Sequence, residues 1–522
     1  MNDKLEQTEE WYKDNKPADF GYKNTGKSIS LKVNGEENTH NIEIWGRGHR
    51  LVLFNSDLEE VYKGSPQDDH RLYQEMVGGF AGMKALGEFG INPPIIHLNE
   101  GSSVFAAIAY MDNLVAHGAS IEDALAATRA KTLMTNHTLV PAAWNRFSLG
   151  QLEKYVFPNL TDQSGLMKGY LTQFMKVFPE DKARTDVPML DLGLLALEVS
   201  GKLNGVSVSH AEIASQKFAR SDGSAVYFKP ITNGMDADTW IDEEMMRYYR
   251  KFGLYDHWGM PTDDFEERVN KLSAGDLWVN KRNAKNQLLD YLQSGRKKDQ
   301  YGRKIVIPED AKIVVWPRRF ADYKRPGMIF RDTKRLAQLM EKEKNAYFII
   351  AGRAHPNDTA MRDEMHRILE MIDKNGDLAS VKDRIIFIPE YDPELAYYLN
   401  SGADIALNTP IVGNEACGTS IFKQTGNNTL IVSTRDGGLS DAPQGSFLEI
   451  GGLPDSHEEQ TSLYDQLERA LMLAETSRFE EWGKQVKAQL QGMGRKVSGT
   501  RMLADYVNYS FPKKEERAEG SI

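Results

Sequence analysis

Apolar and polar positions divide this chain into two halves of different texture. In the second half, short β-branched runs recur between turn residues: Lys312-Ile-Val-Val-Trp316, Tyr347-Phe-Ile-Ile-Ala351, Arg384-Ile-Ile-Phe-Ile388, Ala403-Asp-Ile-Ala-Leu407 and Thr429-Leu-Ile-Val-Ser433. Unbroken apolar runs of this length predict strands buried on both faces. Helical patterns over 358–374 and 393–401 lie between them. The alternation predicts an α/β fold class with a doubly wound parallel sheet, whose ligands bind at the carboxyl ends of the strands.

The first half alternates less cleanly. Residues 28–33, 40–45 and 50–54 have the pattern of an antiparallel β excursion, and 67–89 that of a helix. Ile95-Ile-His-Leu98, Thr132-Leu-Met-Thr135 and Val206-Ser-Val208 predict strand ends of a second α/β sheet, with a long helix from about Met189 to Leu203. The expected boundary follows Pro230-Ile-Thr-Asn-Gly234. This gives an N-terminal domain over 1–234, a C-terminal domain over 235–500, and a helix with a loose polar tail over 501–522.

Length agrees with that division, because 522 residues exceed a single ordinary core at about 150 residues per domain. Hydrophobic residues at 40% and charged residues at 27% are those of a globular protein. The net charge of -11 speaks against a nucleic-acid partner held by bulk electrostatics. The single cysteine, Cys417, excludes an internal disulfide and a cysteine-built metal cage, and fits a reducing compartment. Residues 1–20 lack the apolar core of a signal peptide, and no run of about 20 apolar residues would span a bilayer. A cytoplasmic protein with no membrane and no metal is expected.

Two segments carry candidate chemistry. Arg318-Arg319-Phe-Ala-Asp-Tyr-Lys324-Arg325 follows a strand directly. Four cations so close repel one another unless an anion lies between them, and arginine forks suit phosphate oxygens. The competing reading is a solvated basic turn, which the strand-end position disfavours. The second segment is Asn408-Thr-Pro-Ile-Val-Gly-Asn-Glu415-Ala-Cys-Gly418-Thr-Ser-Ile-Phe-Lys423. Gly418, Thr419 and Ser420 would open a helix with free N–H groups. Lys423 follows about one turn later, and a lysine in a cationic pocket has reason to be neutral and nucleophilic, as a Schiff base to an aldehyde cofactor requires. Glu415 could accept hydrogen bonds from sugar hydroxyls. The plainer readings are a solvated helical lysine and a helix-start carboxylate.

Together these residues resemble the α-glucan phosphorylases, the glycogen and maltodextrin enzymes, particularly their shorter bacterial and archaeal branch. The resemblance continues in family order through His97-Leu-Asn99-Glu100-Gly101, Thr135-Asn-His137-Thr138, Asn204-Gly-Val-Ser207 with His210, Ile231-Thr-Asn233-Gly234, Ala351-Gly-Arg-Ala-His355-Pro and Glu390-Tyr391-Asp392. It implies a GT-B fold of two Rossmann-like domains facing a cleft. It also implies retaining phosphorolysis, in which orthophosphate attacks the anomeric carbon of a terminal α-1,4-glucosyl unit to give α-glucose 1-phosphate. Pyridoxal 5′-phosphate would be held on Lys423, with Arg318 neutralising its phosphate, Gly418 and Thr419 in contact, and Tyr391 packed on its ring. Arg319 and Lys324 would hold the substrate phosphate. Glu415 and Asn233 would hold sugar hydroxyls, and His137 would stand in the acceptor-side wall with Asn99 and Ser102 on the substrate side. The implied partners are an α-glucan or maltodextrin and orthophosphate, with a homo-oligomer expected.

Three departures keep alternatives open. The family opens with a glycine-rich phosphate loop, whereas residues 1–27 hold only Gly21 and Gly26, so a truncated N-terminal domain is expected. Ser102 stands where the pattern His-x-Asn-Glu-Gly-His ends in histidine, and a serine there is shorter and uncharged. Asp436-Gly437-Gly438-Leu439 replaces Asp-Gly-Trp-Trp and has some likeness to nucleotide-sugar glycogen synthases. The alternatives are a nucleotide-sugar transferase of the same fold, or one subunit of a split or catalytically incomplete phosphorylase.

Overall fold

The computed structural model describes residues 23–45, 50–54, 68–139, 145–178, 186–355 and 358–511. They fall into two compact units. The first holds the described residues up to Gly205 together with Ala211–Pro230; the second holds Val206–His210 and the described residues from Ile231 on.

In the first unit, β1 (Lys23–Val33), β2 (Glu36–Trp45) and β3 (Arg50–Phe54) form an antiparallel meander. The β1–β2 turn is Asn34-Gly35 with φ of 53° and 87°. Both values are left-handed, as a two-residue turn between twisted strands requires. Helical chain over 69–88 follows, capped by Asp68, which accepts the N–H of Arg71 at 2.7 Å. It widens into a π turn at Val77–Ala81, where Gly79 packs on Phe105 so closely that a Cβ would lie 2.6 Å from the Phe105 carbonyl carbon.

The unit's parallel sheet runs β4 (Ile96–Asn99), β5 (Thr132–Asn136), β8 (Lys202–Gly205), β9 (Lys229–Pro230). A separate antiparallel pair joins β6 (Arg146–Ser148) to β7 (Met189–Asp191). Two expectations are corrected here. The stretch read as one helix from about Met189 to Leu203 is β7, a helix Leu192–Val199, and then β8. The strand expected at Val206–Val208 lies earlier, at β8, and Val208 already begins the helix Val208–Lys217. The 192–199 run is apolar apart from Glu198 and carries no period that marks its ends. Its start is set by Asp191, whose carboxylate accepts the Leu194 N–H at 3.0 Å.

The second unit is built on six parallel strands: β10 (Lys312–Pro317), β11 (Ala346–Ala351), β12 (Ile385–Ile388), β13 (Ile405–Asn408), β14 (Leu430–Thr434) and β15 (Leu448–Ile450). Their spatial order is β12-β11-β10-β13-β14-β15, so the winding reverses between β10 and β13. Alternate residues enter opposite cores. Val314, Trp316, Phe348 and Ile350 face one cluster, while Ile313, Val315, Ile349 and Ala351 face the other. Each buried aliphatic side chain contributes about 1.5–3 kcal/mol, and helices cover both faces as the unbroken apolar strands require. Among the described residues no helix is long and apolar enough to cross a membrane, and no cluster of metal-ligating side chains occurs.

Candidate active site

The point where a doubly wound sheet reverses is where its strand ends diverge and leave a crevice. In the second unit β10 and β13 flank that point, and Arg318 and Asn408 stand at their carboxyl ends. The buried Arg318 guanidinium donates to Asn408 Oδ1 and to Glu415 Oε2, the latter at 2.7 Å. Lys324 Nζ lies 3.3 Å from the same carboxylate oxygen, and Tyr323 donates its hydroxyl to Oε1 at 3.4 Å. Arg319 is exposed. Two cation-bearing residues six positions apart thus converge on one carboxylate, and a third points to solvent.

Burial and charge act in opposite senses here. Burial alone would raise the Glu415 carboxyl, but Arg318 and Lys324 outweigh it and hold it below the usual carboxylate range. Burial, with Arg318 alongside, brings the Lys324 amine down to about 7 against the pull of Glu415. Tyr391, expected near a cofactor ring, donates its hydroxyl to the Pro317 carbonyl at 3.1 Å, and burial pushes that hydroxyl up to about 12.

The loop 413–418 is shaped from behind by Asp436. Its Oδ2 accepts the N–H groups of Gly413 (3.0 Å) and Glu415 (2.8 Å), and Oδ1 accepts that of Gly437 (2.8 Å). Gly437, at φ 53°, lies so near that a Cβ would stand 2.9 Å from the Glu415 carbonyl oxygen. Gly418 is required for another reason. A Cβ there would run into the Arg318 guanidinium and lie 3.2 Å from Glu415 Oε2. Thr419 precedes the helix Ser420–Gly426 and does not spend its hydroxyl on a cap.

From that helix Lys423 places its amine 3.0 Å from the centre of the Trp240 ring. Burial lowers the amine to about 8, and among the described residues it has no hydrogen-bond acceptor. Asn233, half-buried, donates its N–H to the Val206 carbonyl at 3.1 Å. Cys417 is a buried thiol that burial pushes up to about 12, which leaves it inert as a nucleophile.

The other three predicted residues belong to the first unit, at the carboxyl ends of β4 and β5. His137 Nε2 and Asn99 Oδ1 form a hydrogen bond. The His137 N–H donates to Glu100 Oε1 at 2.6 Å. Glu100 holds an uncommon φ of 70°, and burial raises its carboxyl to about 7. Ser102 sits in the turn Gly101–Ser103, where Gly101 touches Gly193 closely enough that a Cβ would meet its Cα at 2.6 Å.

The sequence singles out no role for Asn408, Asp436, Trp240 or Glu100, and it counts Arg325 among the four cations of a phosphate site, whereas Arg325 pairs with Glu459. Asn408, Asp436 and Glu100 fall inside quoted motifs, and a buried polar residue in a strand-end motif is the signal that could have singled them out. Trp240 carried no such signal, since its contact with Lys423 spans the unit.

The comparisons with known proteins bear on the same residues. A family model described as carbohydrate phosphorylase matches residues 80–440, an interval containing all twelve predicted site residues: Asn99, Ser102, His137, Asn233, Arg318, Arg319, Lys324, Tyr391, Glu415, Gly418, Thr419 and Lys423. The glycogen phosphorylase of Mycobacterium tuberculosis is 28% identical over 512 residues, covering 88% of this chain and 58% of that protein. The maltodextrin phosphorylase of Thermococcus litoralis is 26% identical over 503 residues, covering 89% and 57%. The glycogen phosphorylase of Aquifex aeolicus is 27% identical over 529 residues, covering 94% and 72%. The chain therefore spans less than three-fifths of the length of the first two of these relatives.

Proposed function

This chain belongs to the carbohydrate phosphorylase family, and on that premise we propose that it is a retaining α-glucan phosphorylase of GT-B architecture, releasing α-glucose 1-phosphate from maltodextrin-like chains in the cytoplasm. The observation that carries the reading is the convergence of Arg318 and Lys324 on Glu415 at the β10–β13 reversal. A pocket with that charge pattern suits phosphate and a hydroxyl-bearing sugar together.

The residues fit pyridoxal 5′-phosphate. Lys423 offers an amine lowered to about 8 beside a flat indole wall, and Gly418, having no side chain, lets the Arg318 guanidinium close on its backbone. Lys423 would hold the aldehyde carbon, Arg318 would face the cofactor phosphate, and Gly418, Thr419 and Tyr391 would line it. When bound, the group supplies a phosphate whose second pKa near 6 suits proton exchange at neutral pH.

The chain's own residues then do the following. Arg319 and Lys324 hold orthophosphate against the anomeric carbon, which makes the attack effectively unimolecular. Glu415 and Asn233 accept and donate hydrogen bonds at the sugar hydroxyls and fix its orientation. His137, Asn99 and Ser102, in the first unit, bind the glucan. The departing oxygen needs a proton that free arginines cannot give at neutral pH; the orthophosphate held by Arg319 and Lys324, itself an acid in that range, can carry it.

The test is borohydride reduction followed by peptide mass spectrometry, with orthophosphate-dependent release of glucose 1-phosphate assayed on the same material. A pyridoxyl mass on the peptide holding Lys423, and loss of both adduct and turnover in Lys423→Ala, are expected. Full turnover in adduct-free protein, or turnover only with a nucleotide sugar, would overturn the reading.

A further inference from the structure

The Lys423 amine and the Trp240 indole come from separate segments, and local structure does not align them. Trp240 ends a helix of only four residues, Ala237–Trp240, too short to be rigid by itself. Ile241 packs against Gly426, where a Cβ would lie 2.7 Å from Ile241 Cγ1, but apolar contact is non-directional and does not set register. Tyr249, on the following helix Glu243–Lys251, donates its hydroxyl to the Gly426 carbonyl at 3.0 Å, but the directional ties that reach the Trp240–Asp242 backbone pass through one side chain. Asn427, 1% exposed, donates Nδ2 to the carbonyls of Trp240 (2.7 Å) and Lys423 (2.8 Å), and its Oδ1 accepts the Asp242 N–H (2.7 Å).

Its backbone is equally committed. The Asn427 N–H returns to the Lys423 carbonyl at 3.2 Å. The Asn427 carbonyl accepts from the buried Lys281 amine at 3.1 Å, which also grips the Ser401 carbonyl (2.8 Å) and Thr429 Oγ1 (2.7 Å). Every polar group of Asn427 is therefore used, and the residue is anchored to the long helix Ala274–Gln293 that carries Lys281.

We infer that Asn427 is a positioning residue for Lys423: its carboxamide joins the Lys423 and Trp240 carbonyls so that amine and indole are held as one unit, which keeps water off the amine. This deepens the assignment of Lys423 as the cofactor lysine and rests on it. Without the carboxamide the two segments separate, the indole leaves the amine, and a solvated amine regains its ordinary proton affinity. An apolar replacement also leaves the Trp240 carbonyl and the buried Asp242 N–H without these partners, while the Lys423 carbonyl keeps only the backbone N–H of residue 427, so the segments are driven apart rather than merely released.

The experiment uses the chain as purified. In protein carrying pyridoxal phosphate as an unreduced Schiff base on Lys423, the cofactor absorbance is followed after hydroxylamine is added. Asn427→Ala should lose the cofactor about tenfold faster or more. Asn428→Ala is the control, because it deletes a neighbouring buried carboxamide that meets Tyr249 Oη and Met245 Sδ and has no tie to Trp240; it should stay within about twofold of the parent. Equal rates in Asn427→Ala and parent, or an Asn428→Ala rate matching that of Asn427→Ala, overturn the inference. If Asn427→Ala does not fold, Asn427→Asp, of equal size and keeping the acceptor for Asp242, is read by the same criteria. If the parent carries no pyridoxyl group, the cofactor assignment falls and the inference is read from reductive methylation of Lys423 by formaldehyde and cyanoborohydride. Half-maximal labelling near pH 8 in the parent, moving up by about one unit or more in the variant, supports it; half-maximal labelling of the parent near the ordinary lysine value overturns it without any variant.

Discussion

Arg325 grips Glu459 through two parallel ion-pair contacts, Nη1 to Oε2 and Nη2 to Oε1, each 2.7 Å long and both buried, across 134 residues of chain. The remaining donors are also used: Nε reaches the Thr409 carbonyl at 2.9 Å and Nη2 the Pro410 carbonyl at 3.1 Å. Arg325 holds φ at 48° to do so, a backbone strain that persists only where the surroundings enforce it. The pair lashes the 318–325 loop to the helix His457–Leu473, and the two carbonyl contacts lash it to the end of β13, so the cations of that loop are held by a residue that pairs outside the Glu415 cluster.

Breaking this fork should destabilise the second unit strongly. Glu459→Gln removes the buried counter-charge and leaves Arg325 only the half-exposed Asp455 at 3.3 Å, so it should cost up to about 3 kcal/mol. Arg325→Lys keeps the charge but not the planar fork, so it too should lower the urea midpoint. Denaturation followed by tryptophan fluorescence checks both, and a midpoint unchanged in Glu459→Gln would show that the fork is dispensable.

Gly418→Ala should separate activity from stability. The added Cβ meets Arg318 and Glu415 in a half-buried loop, so the pair must shift while the core strands stay as they are. Turnover should drop about a hundredfold with a melting temperature within a few degrees of the parent. Parent-like turnover would mean that the pair can yield without consequence.

The Lys324 amine, brought down to about 7, gives anion binding a defined pH sense. It is charged below about pH 7 and neutral above, so affinity for an anion should fall as pH rises through that value, by at most about tenfold per unit. Sulfate, whose charge is constant over this range, serves as the competitive inhibitor. Lys324→Arg stays charged and should flatten the profile. A sulfate inhibition constant independent of pH in the parent would refute the assignment.

In the first unit, burial pushes the Glu75 carboxyl from its ordinary value of 4.5 up to about 8, against the pull of Arg71 at 2.9 Å. The folded state therefore holds a proton that the unfolded chain has released. Glu75's contribution is fully present below about pH 4.5 and is lost as pH rises through about 8. Glu75→Gln, always neutral, should remove on the order of 2 kcal/mol of pH dependence between about pH 5 and about pH 8. Urea titrations at the two pH values measure it, and identical slopes in parent and variant would contradict it.

The strands of the second unit were legible because a strand buried on both faces writes its whole length in β-branched residues. β10 to β14 each lie within about two residues of their sequence-based ranges. β15 was not, since its three residues, Leu448–Ile450, are too few to show a pattern. The 189–203 region misled because its leucine-rich centre has no period that separates helix from flanking strands. At the site, Arg318 with Lys324, and Glu415 with Lys423, stood out as two separate segments. Their meeting on one carboxylate oxygen was not readable, since it depends on which strands are neighbours. The same holds for Asp436 behind Glu415 and for Trp240 beneath Lys423, whose partners are fixed by tertiary packing and leave no local trace.

The shared oxygen of Glu415 also has a consequence for the order of events. The cationic crevice is never electrically bare, because the carboxylate neutralises it in advance. An arriving dianion would therefore trade places with a resident counter-ion rather than fill a charged void, and the net gain is the difference between two ion pairs. The displaced carboxylate would be freed to accept a hydroxyl at the moment the anion is seated. If the proposed function holds, capture of phosphate and sugar would thus be thermodynamically coupled, each raising the other's affinity by the same factor.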